Sequence, residues 1–162
     1  MVKTVEKKPR FHQLTFIKVV LVAVIFNVFL AFVNGLLSSL VQEGTGFDPS
    51  NVLLFLQCLL IGKMVRRLYD VSHVVYPIVT VMGLLLASSV IIFLPEVLVL
   101  ANQMGAWETV FQVKLYVDFA FEFYNPINWI QHFSVAYMIQ LLIVFAGITV
   151  SLFQTNAQRN TK

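Results

Sequence analysis

Cysteine and charge are what this chain has least of. Cys58 is the single cysteine among 162 residues, so no intrachain disulfide can form, and the thiol–disulfide relay enzymes of membranes are excluded. Charged residues make up only 12% of the chain and hydrophobic residues 59%, a composition outside the range of soluble domains. No polar segment is long enough to bury a core of its own. The composition therefore predicts an integral membrane protein without a separate soluble module.

Aspartate, glutamate, lysine and arginine are missing from the centres of the long apolar runs. Pumps, coupled transporters and enzymes in lipid normally carry such groups, because moving a proton or a charge needs them. The polar residues at depth are amides and hydroxyls: Asn27, Asn34, Gln57, Thr80, Ser88, Ser89 and Gln140. No phosphate-binding loop, serine-hydrolase elbow or zinc-protease motif occurs, and the three histidines fall on different sides of the predicted bilayer. We therefore predict a protein that is not an enzyme, with no cofactor, no metal and no nucleic-acid partner.

Four apolar runs predict an all-α protein with four transmembrane helices, at about 19–41, 49–65, 74–94 and 126–153. At about 1.5 Å per residue the first run crosses a bilayer core of roughly 30 Å, whereas the second run is short. A re-entrant or shallow helix is the alternative for the second run, but it would leave the alternation of charge described below unexplained. Asp48-Pro49 and Asn125-Pro126 are helix-start signals, and Pro95 marks the predicted end of the third helix. The chain is thus predicted to be a single membrane domain, 19–162, behind a basic lead, 1–18.

Basic and acidic residues alternate from one connection to the next. Basic residues precede the first run, separate the second from the third and follow the last. The other two connections hold six acids, Glu43, Asp48, Glu96, Glu108, Asp118 and Glu122, and one basic residue, Lys114. The positive-inside rule then predicts both termini in the cytoplasm and an even number of spans. We expect a multi-pass protein of the cell membrane, with an organellar membrane as the alternative, and an uncleaved first anchor because a small-residue cleavage site is lacking.

Lys63, Arg66 and Arg67 stand at i, i+3 and i+4, on one face of a helical extension. Such a group can anchor the helix on the cytoplasmic side, or it can make a specific contact with a lipid headgroup or a nucleotide. The anchoring interpretation is favoured, because three basic residues are typical of an orientation signal. Membrane lipids are partners in either case.

Small and amide residues repeat on single helical faces, which is typical of surfaces where helices pack closely. Asn27 and Asn34 are seven residues apart, and Ala31, Gly35 and Ser39 repeat at four. Gly83 and Ala87 form a similar pair in the third run, and Gln140 lies near the middle of the fourth. The predicted helix-packing residues are Asn27, Ala31, Asn34, Gly35, Ser39, Gly83, Ala87 and Gln140.

The segment 107–124 fits two different structures. From Phe111 to Phe123 the odd positions are apolar, which is a strand pattern, but a helix would also gather the polar residues in one arc. A lone strand at a membrane surface leaves its backbone groups unpaired, and no second strand is available. We therefore favour an amphipathic interfacial helix on the outer side, between the third and fourth spans.

Glu122, Asn125, Asn128 and His132 form the main polar cluster predicted on the outer side. These side chains could bind a cation or a lipid headgroup, or His132 could act as a base beside Glu122. The structural alternative is favoured: Asn125 caps a helix, Asn128 faces headgroups and His132 bonds to a neighbour.

The sequence favours a non-catalytic small polytopic protein, acting as a subunit or accessory factor of a larger membrane complex. Its partners would be lipids and other integral membrane proteins, or further copies of itself. The alternative is an oligomeric channel or transporter subunit with an acidic outer entrance. A lipid-modifying enzyme that uses His132 and Glu122 is the third hypothesis.

Overall fold

The computed structural model describes residues 12–69, 73–131 and 134–156, and within these ranges the chain is helical and contains no strand. Three helices are long and apolar enough to cross a membrane, namely Gln13–Thr45, Val75–Met104 and Val135–Thr155. The helix at the predicted second span has only 17 residues, about 25 Å at 1.5 Å per residue. Residues 1–11 of the predicted basic lead, and His132, lie outside the described residues.

The helices follow one another with short connections. They are α1 (Gln13–Thr45), α2 (Ser50–Arg66), α3 (Val75–Met104), a 3-10 turn (Trp107–Phe111), α4 (Val113–Phe123), α5 (Pro126–Gln131) and α6 (Val135–Asn156).

One π-helical turn, Leu21–Phe26, lies inside α1. The buried face of α1 repeats at every fourth residue through this turn: Val19, Ala23, Asn27, Ala31 and Gly35. The next buried residue is Ser38, three positions further on. This face packs against α3.

Close contacts at glycines show the relative directions of the long helices. A Cβ on Gly83 would lie 1.8 Å from the Ala23 carbonyl oxygen, and one on Gly35 would lie 2.8 Å from Leu94. Residue numbers rise together in these pairs, so α1 and α3 are parallel. Gly147 meets Cys58 and Gly62 meets Ser151 in the same way, so α2 and α6 are parallel to each other.

Hydrogen bonds show that α1 and α2 run in opposite directions. The Ser38 hydroxyl, late in α1, donates to Asp48, just before α2. We call this the acidic end of the bundle, because the last turns of α1, the start of α2, the C-terminal part of α3, the 3-10 turn and α4 carry six acids: Glu43, Asp48, Glu96, Glu108, Asp118 and Glu122. The other, basic end holds Lys18, Lys63, Arg66 and Arg67, and there the Tyr69 hydroxyl donates to the Thr155 carbonyl at 2.6 Å.

The third helix does not stop before Pro95, so that prediction is wrong: α3 continues through Pro95 to Met104. A proline inside a helix removes one backbone hydrogen bond and costs about 3 kcal/mol. Leu94, Val97 and Ala101 are all at most 2% exposed. Packing on both sides of Pro95 therefore offsets the cost, and the helix ends at Gly105, whose φ of 65° is left-handed.

The predicted single helix over 126–153 is divided in two, with Ser134 outside both α5 and α6. Each helix has its own N-terminal cap. The Asn125 side chain accepts a hydrogen bond from the Ile127 amide at 3.0 Å, as the sequence predicted. The Ser134 hydroxyl accepts one from the Tyr137 amide at 3.2 Å, which starts the second helix.

The segment 107–124 forms a 3-10 turn followed by α4, so its helical interpretation is the observed one and the strand is not formed. Tyr116 and Phe123 are buried, and the Tyr116 hydroxyl donates to the Val110 carbonyl at 2.9 Å. On the exposed face Lys114 pairs with Asp118 at 2.6 Å. Burial raises the pKa of Tyr116 to about 12.

Candidate functional site

A cavity of about 400 Å³ opens at the acidic end, which is within the size range of small-ligand sites. We call it the polar cavity. Its polar lining comes from six parts of the chain: Gln42, Asp48, Ser50, Glu96, Glu122, Asn128, Tyr137 and Gln140. Its apolar lining is Ile92, Phe93, Pro95 and Phe123. The site therefore exists only when all of these helices are packed together.

Asp48 is held in place by the start of α2. Its Oδ1 accepts hydrogen bonds from the Ser50 amide at 2.9 Å and the Ser38 hydroxyl at 2.8 Å, and its Oδ2 accepts one from the Ser50 hydroxyl at 2.9 Å. Partial burial alone would raise the pKa of Asp48, but these hydrogen bonds outweigh it and the pKa lies below its usual value. Asp48 is thus a fixed negative charge at the rim.

Glu96 and Glu122 are different, because their carboxylates have no hydrogen bond or ion pair with any residue that the structure describes. Glu96 lies one position after Pro95, on the turn of α3 that the sequence had placed beyond the helix. None of the described residues that line the cavity is a lysine, arginine or histidine, and Lys114 is paired with Asp118. The cavity therefore holds negative charge that no described neighbour neutralises.

Aromatic rings form one wall of the polar cavity. Phe123 meets Phe93 edge to face at 5.7 Å and Tyr137 at 4.9 Å. The Phe123 carbonyl accepts hydrogen bonds from the Trp129 indole at 2.9 Å and from the Tyr137 hydroxyl. Because Phe123 itself is only 5% exposed, this wall is fixed from both the side-chain and the backbone side.

The structure separates the three described residues of the predicted outer cluster. Glu122 and Asn128 line the polar cavity, and the Asn128 amide donates to the Glu122 backbone carbonyl at 3.0 Å. Asn125 instead caps α5 and borders another cavity, of about 710 Å³, which is mainly apolar. His132 lies outside the described residues, so no distance between His132 and Glu122 enters the description of this site.

Sequence reasoning missed Asp48 and Glu96 as neighbours of Glu122. It placed Gln140 among the packing residues, whereas this amide lines the polar cavity and has no hydrogen bond to a described residue. The sequence signal for this site is that six acids fall in the two connections predicted to lie on the outer side of the membrane. Which of these acids meet depends on α3 continuing past Pro95, and no local pattern predicts that.

Amides join α1 to α2 at mid-depth. The Gln57 side-chain nitrogen donates to the Asn27 side-chain oxygen at 2.7 Å and to its carbonyl at 2.9 Å, and the Gln57 oxygen accepts from Asn34 at 2.6 Å. Asn27 also donates to the Ala23 carbonyl at 3.2 Å, within the π turn. All of these groups are therefore hydrogen-bonded inside the bundle.

The other predicted packing residues lie mostly on the contact between α1 and α3. Ala31, Gly35, Gly83 and Ala87 are buried there. Ser39 is only partly buried, and it is Ser38 that reaches Asp48.

The three predicted headgroup residues are not equivalent. The Arg66 guanidinium donates to the Tyr69 carbonyl at 2.6 Å and lies 5.2 Å from the centre of the Tyr69 ring. Lys63 and Arg67 are exposed. Arg66 therefore holds the end of α2 in place, while the other two side chains face outward.

Metal chemistry has no ready-made site here: the described ranges contain no group of three or more His, Cys, Asp or Glu side chains that could hold a metal ion. Comparisons with protein-family models, with curated proteins and with solved structures give no match, so the chain's function must be argued from its own geometry.

Proposed function

We propose that this protein is a non-catalytic subunit or accessory factor of a larger complex in the cell membrane. Four helices, α1, α2, α3 and α6, would lie in the bilayer, with the basic end and both termini in the cytoplasm. The acidic end would then face outward.

The topology is supported by the directions of the helices. Helices α1 and α3 run one way and α2 and α6 the other, which is what four consecutive spans require. α2 is short for a span, but the exposed Lys63 near its end can extend its side chain to the headgroups. Concentration of Lys63, Arg66 and Arg67 at this end agrees with the positive-inside rule.

An interfacial position of α4 is supported by its two faces. Phe121 is 76% exposed and Val113 63% exposed on the apolar side, whereas Lys114 and Asp118 form an exposed pair on the polar side. A helix with this distribution lies flat at a headgroup boundary.

The main observation behind the proposal is that three amide side chains in the apolar interior of the bundle are hydrogen-bonded to one another. Asn27, Asn34 and Gln57 are consumed by hydrogen bonds between helices, and no Asp, Glu, Lys or Arg is buried among the described residues. A transport path or a catalytic centre in lipid normally needs such groups. Their use in packing favours a structural role.

A partner surface is supported by the groove between α2 and α6. This groove, of about 510 Å³, is lined by Val52, Leu56, Ile139, Leu142 and other apolar side chains, with Asn51 at one end. The Asn51 side-chain oxygen is buried and has no hydrogen-bond partner in the described part of the chain. For the Asn51 side chain that borders the groove, a polar residue on a helix of another membrane protein would be a better neighbour than lipid.

The test is extraction of the tagged protein from its native membrane in mild detergent, followed by native mass measurement. We expect a complex that contains other membrane proteins and that is lost in Leu142→Trp, which fills the groove. Ile78→Trp is the matched control, because Ile78 is also exposed, at 56%, but lies on α3. Recovery of only the 18.4 kDa chain or its homo-oligomers would contradict the proposal.

A second candidate function, a channel or transporter subunit, is favoured by the polar cavity alone. Three carboxylates at the mouth of a membrane protein concentrate cations there. Cation flux into liposomes that contain only this protein, reduced by Glu96→Gln, would establish this function. An absence of cation flux into these liposomes would rule out the channel function.

A further inference from the structure

The geometry points to the polar cavity as a binding site for a small organic cation, either an amine or a quaternary ammonium group. This inference concerns binding at the acidic end. It does not require that the cation crosses the membrane or that the protein belongs to a complex.

The first step of the argument is charge. Asp48, Glu96 and Glu122 line the cavity, and none of its other described lining residues is basic. Glu96 and Glu122 have no partner among the described residues, and Lys114, the only basic residue in these connections, is paired with Asp118. The cavity therefore attracts a cation that the described chain does not itself supply.

The second step is shape. A metal ion needs several ligands converging on one point, and the part of the chain that the structure describes holds no such group. Asp48, Glu96 and Glu122 line a space of about 400 Å³ together with aromatic and amide side chains. A space of this size suits a small organic ligand.

The third step is the chemistry of the wall. Phe93, Phe123 and Tyr137 line the same cavity. The Phe123 ring contacts the Phe93 ring and the Tyr137 ring, each edge to face. Aromatic rings combined with carboxylates are the typical surroundings of an ammonium group, because its charge is spread over CH groups that contact the rings. The Gln140 amide, which has no other described partner, supplies a further acceptor in the lining.

The test uses the full-length protein in detergent at fixed ionic strength, with choline as the probe and calorimetry as the measurement. The neutral isostere 3,3-dimethyl-1-butanol is the ligand control. We expect saturable binding of choline and little or none of the alcohol. Equal binding of the two, or no saturable choline binding, would overturn the inference.

Variants then locate the site. Glu96→Gln and Glu122→Gln should each weaken choline binding about fivefold or more, because each removes one charge next to the ligand. Glu108→Gln makes the same charge change at the acidic end but outside the cavity, and it should weaken binding less than about twofold. Equal effects at all three positions would indicate diffuse surface charge and would overturn the inference. Thermal unfolding of each variant confirms that it is folded.

The aromatic wall has its own variant. Phe93→Leu should weaken choline binding about threefold, which is the size expected of one cation–π contact. An unchanged affinity in a folded Phe93→Leu protein would overturn the assignment of an ammonium ligand.

The ammonium group can come from a free amine or from a lipid headgroup, and nanodiscs distinguish the two sources. If a headgroup is the resident ligand, choline binding is weaker in phosphatidylcholine discs than in phosphatidylglycerol discs. If the ligand is a free amine, the lipid makes no such difference. The Glu122→Gln variant must weaken choline binding about fivefold or more in either case, and unchanged choline binding in it would overturn the inference.

Discussion

Gly83 is the residue on which the contact between α1 and α3 depends most directly. An added Cβ would lie 1.8 Å from the carbonyl oxygen of Ala23 and 2.7 Å from its carbonyl carbon. Both are backbone atoms, so no side-chain rotation relieves the overlap. The two helices can approach this closely only because position 83 has no side chain.

We predict that Gly83→Ala destabilises the protein by about 3 kcal/mol or more, since the helices must move apart. The measurement is the midpoint of thermal or denaturant unfolding in detergent. Gly44→Ala is the matched control, because nothing lies within 4 Å of a Cβ at that helical position. It should be neutral or slightly stabilising. Equal midpoints for the two variants would contradict the close contact.

Gln57 is the second residue whose substitution has a predictable effect on stability, because its side chain is hydrogen-bonded to both Asn27 and Asn34. Gln57→Leu removes the described partner of the Asn27 side-chain oxygen and of the Asn34 side-chain nitrogen, and we predict a loss of about 1–3 kcal/mol in the free energy of unfolding. Gln140→Leu removes an amide that has no described partner and should change stability much less. A double-mutant cycle with Asn34→Leu should give a coupling of about 1 kcal/mol. Additive effects would show that the hydrogen bond contributes nothing.

Part of this residue-level arrangement can be predicted from sequence. The spacing of Asn27 and Asn34 places them on one helical face, and in the structure both reach α2. Their common partner, Gln57, comes from another helix, and spacing along one helix contains no information about such a contact. Asp48 was predicted as a helix start and as one of the outer acids, but its contact with α1 through Ser38 was not predicted.

At the scale of elements, the connection between α1 and α2 depends on the ionised form of Asp48. Its pKa is below the usual value in the folded protein, so its hydrogen bonds contribute stability above the unfolded pKa of about 3.9, and this contribution is lost as pH falls through the folded value. We predict that wild type loses stability below about pH 4. Asp48→Asn should lose less over the same range.

Unfolding midpoints between pH 7 and pH 3 provide the measurement. Glu43→Gln is the control, because Glu43 is an exposed carboxylate in the same region of the chain. If Glu43→Gln flattens the acid side of the profile as much as Asp48→Asn, the effect is general titration and not the connection.

Helix ends show where local sequence rules stop being sufficient. Asn125 and Pro126 predicted the start of α5 correctly, because capping is a local interaction. Pro95 was a wrong stop signal, since burial of Leu94, Val97 and Ala101 outweighs a local penalty. Ser134 was overlooked as a cap because apolar residues on both sides of it suggested one continuous helix.

At the scale of the whole molecule, the proposed orientation can be tested with the chain's single cysteine. Cys58 is only 1% exposed, so the wild type should not react with a membrane-impermeant maleimide. Phe47→Cys, at the acidic end, should be labelled on intact cells, because Phe47 is 60% exposed. Arg67→Cys, at the basic end, should be labelled only after the membrane is opened. Labelling of Arg67→Cys on intact cells would reverse the orientation.

The all-helical fold follows from apolar runs that are long enough to be helices in lipid, and that much was predictable. Three of the runs also meet the length of a span in the structure. The polar cavity was not predictable, because its lining residues lie far apart in sequence and meet only through the packing of α1, α2, α3 and α6. Its charge was visible in advance, but its position and its aromatic wall were not.

The π turn at Leu21–Phe26 has a consequence for how α1 can vary. In a regular α-helix a repeat of four residues drifts by about 40° per step, so Val19 and Gly35 would end on different sides of the rod. The wider i→i+5 turn cancels part of this drift and keeps both on the face toward α3. Loss of one residue from this stretch would rotate everything before it by about 100°. The number of residues in this stretch is therefore constrained as strictly as their hydrophobic character.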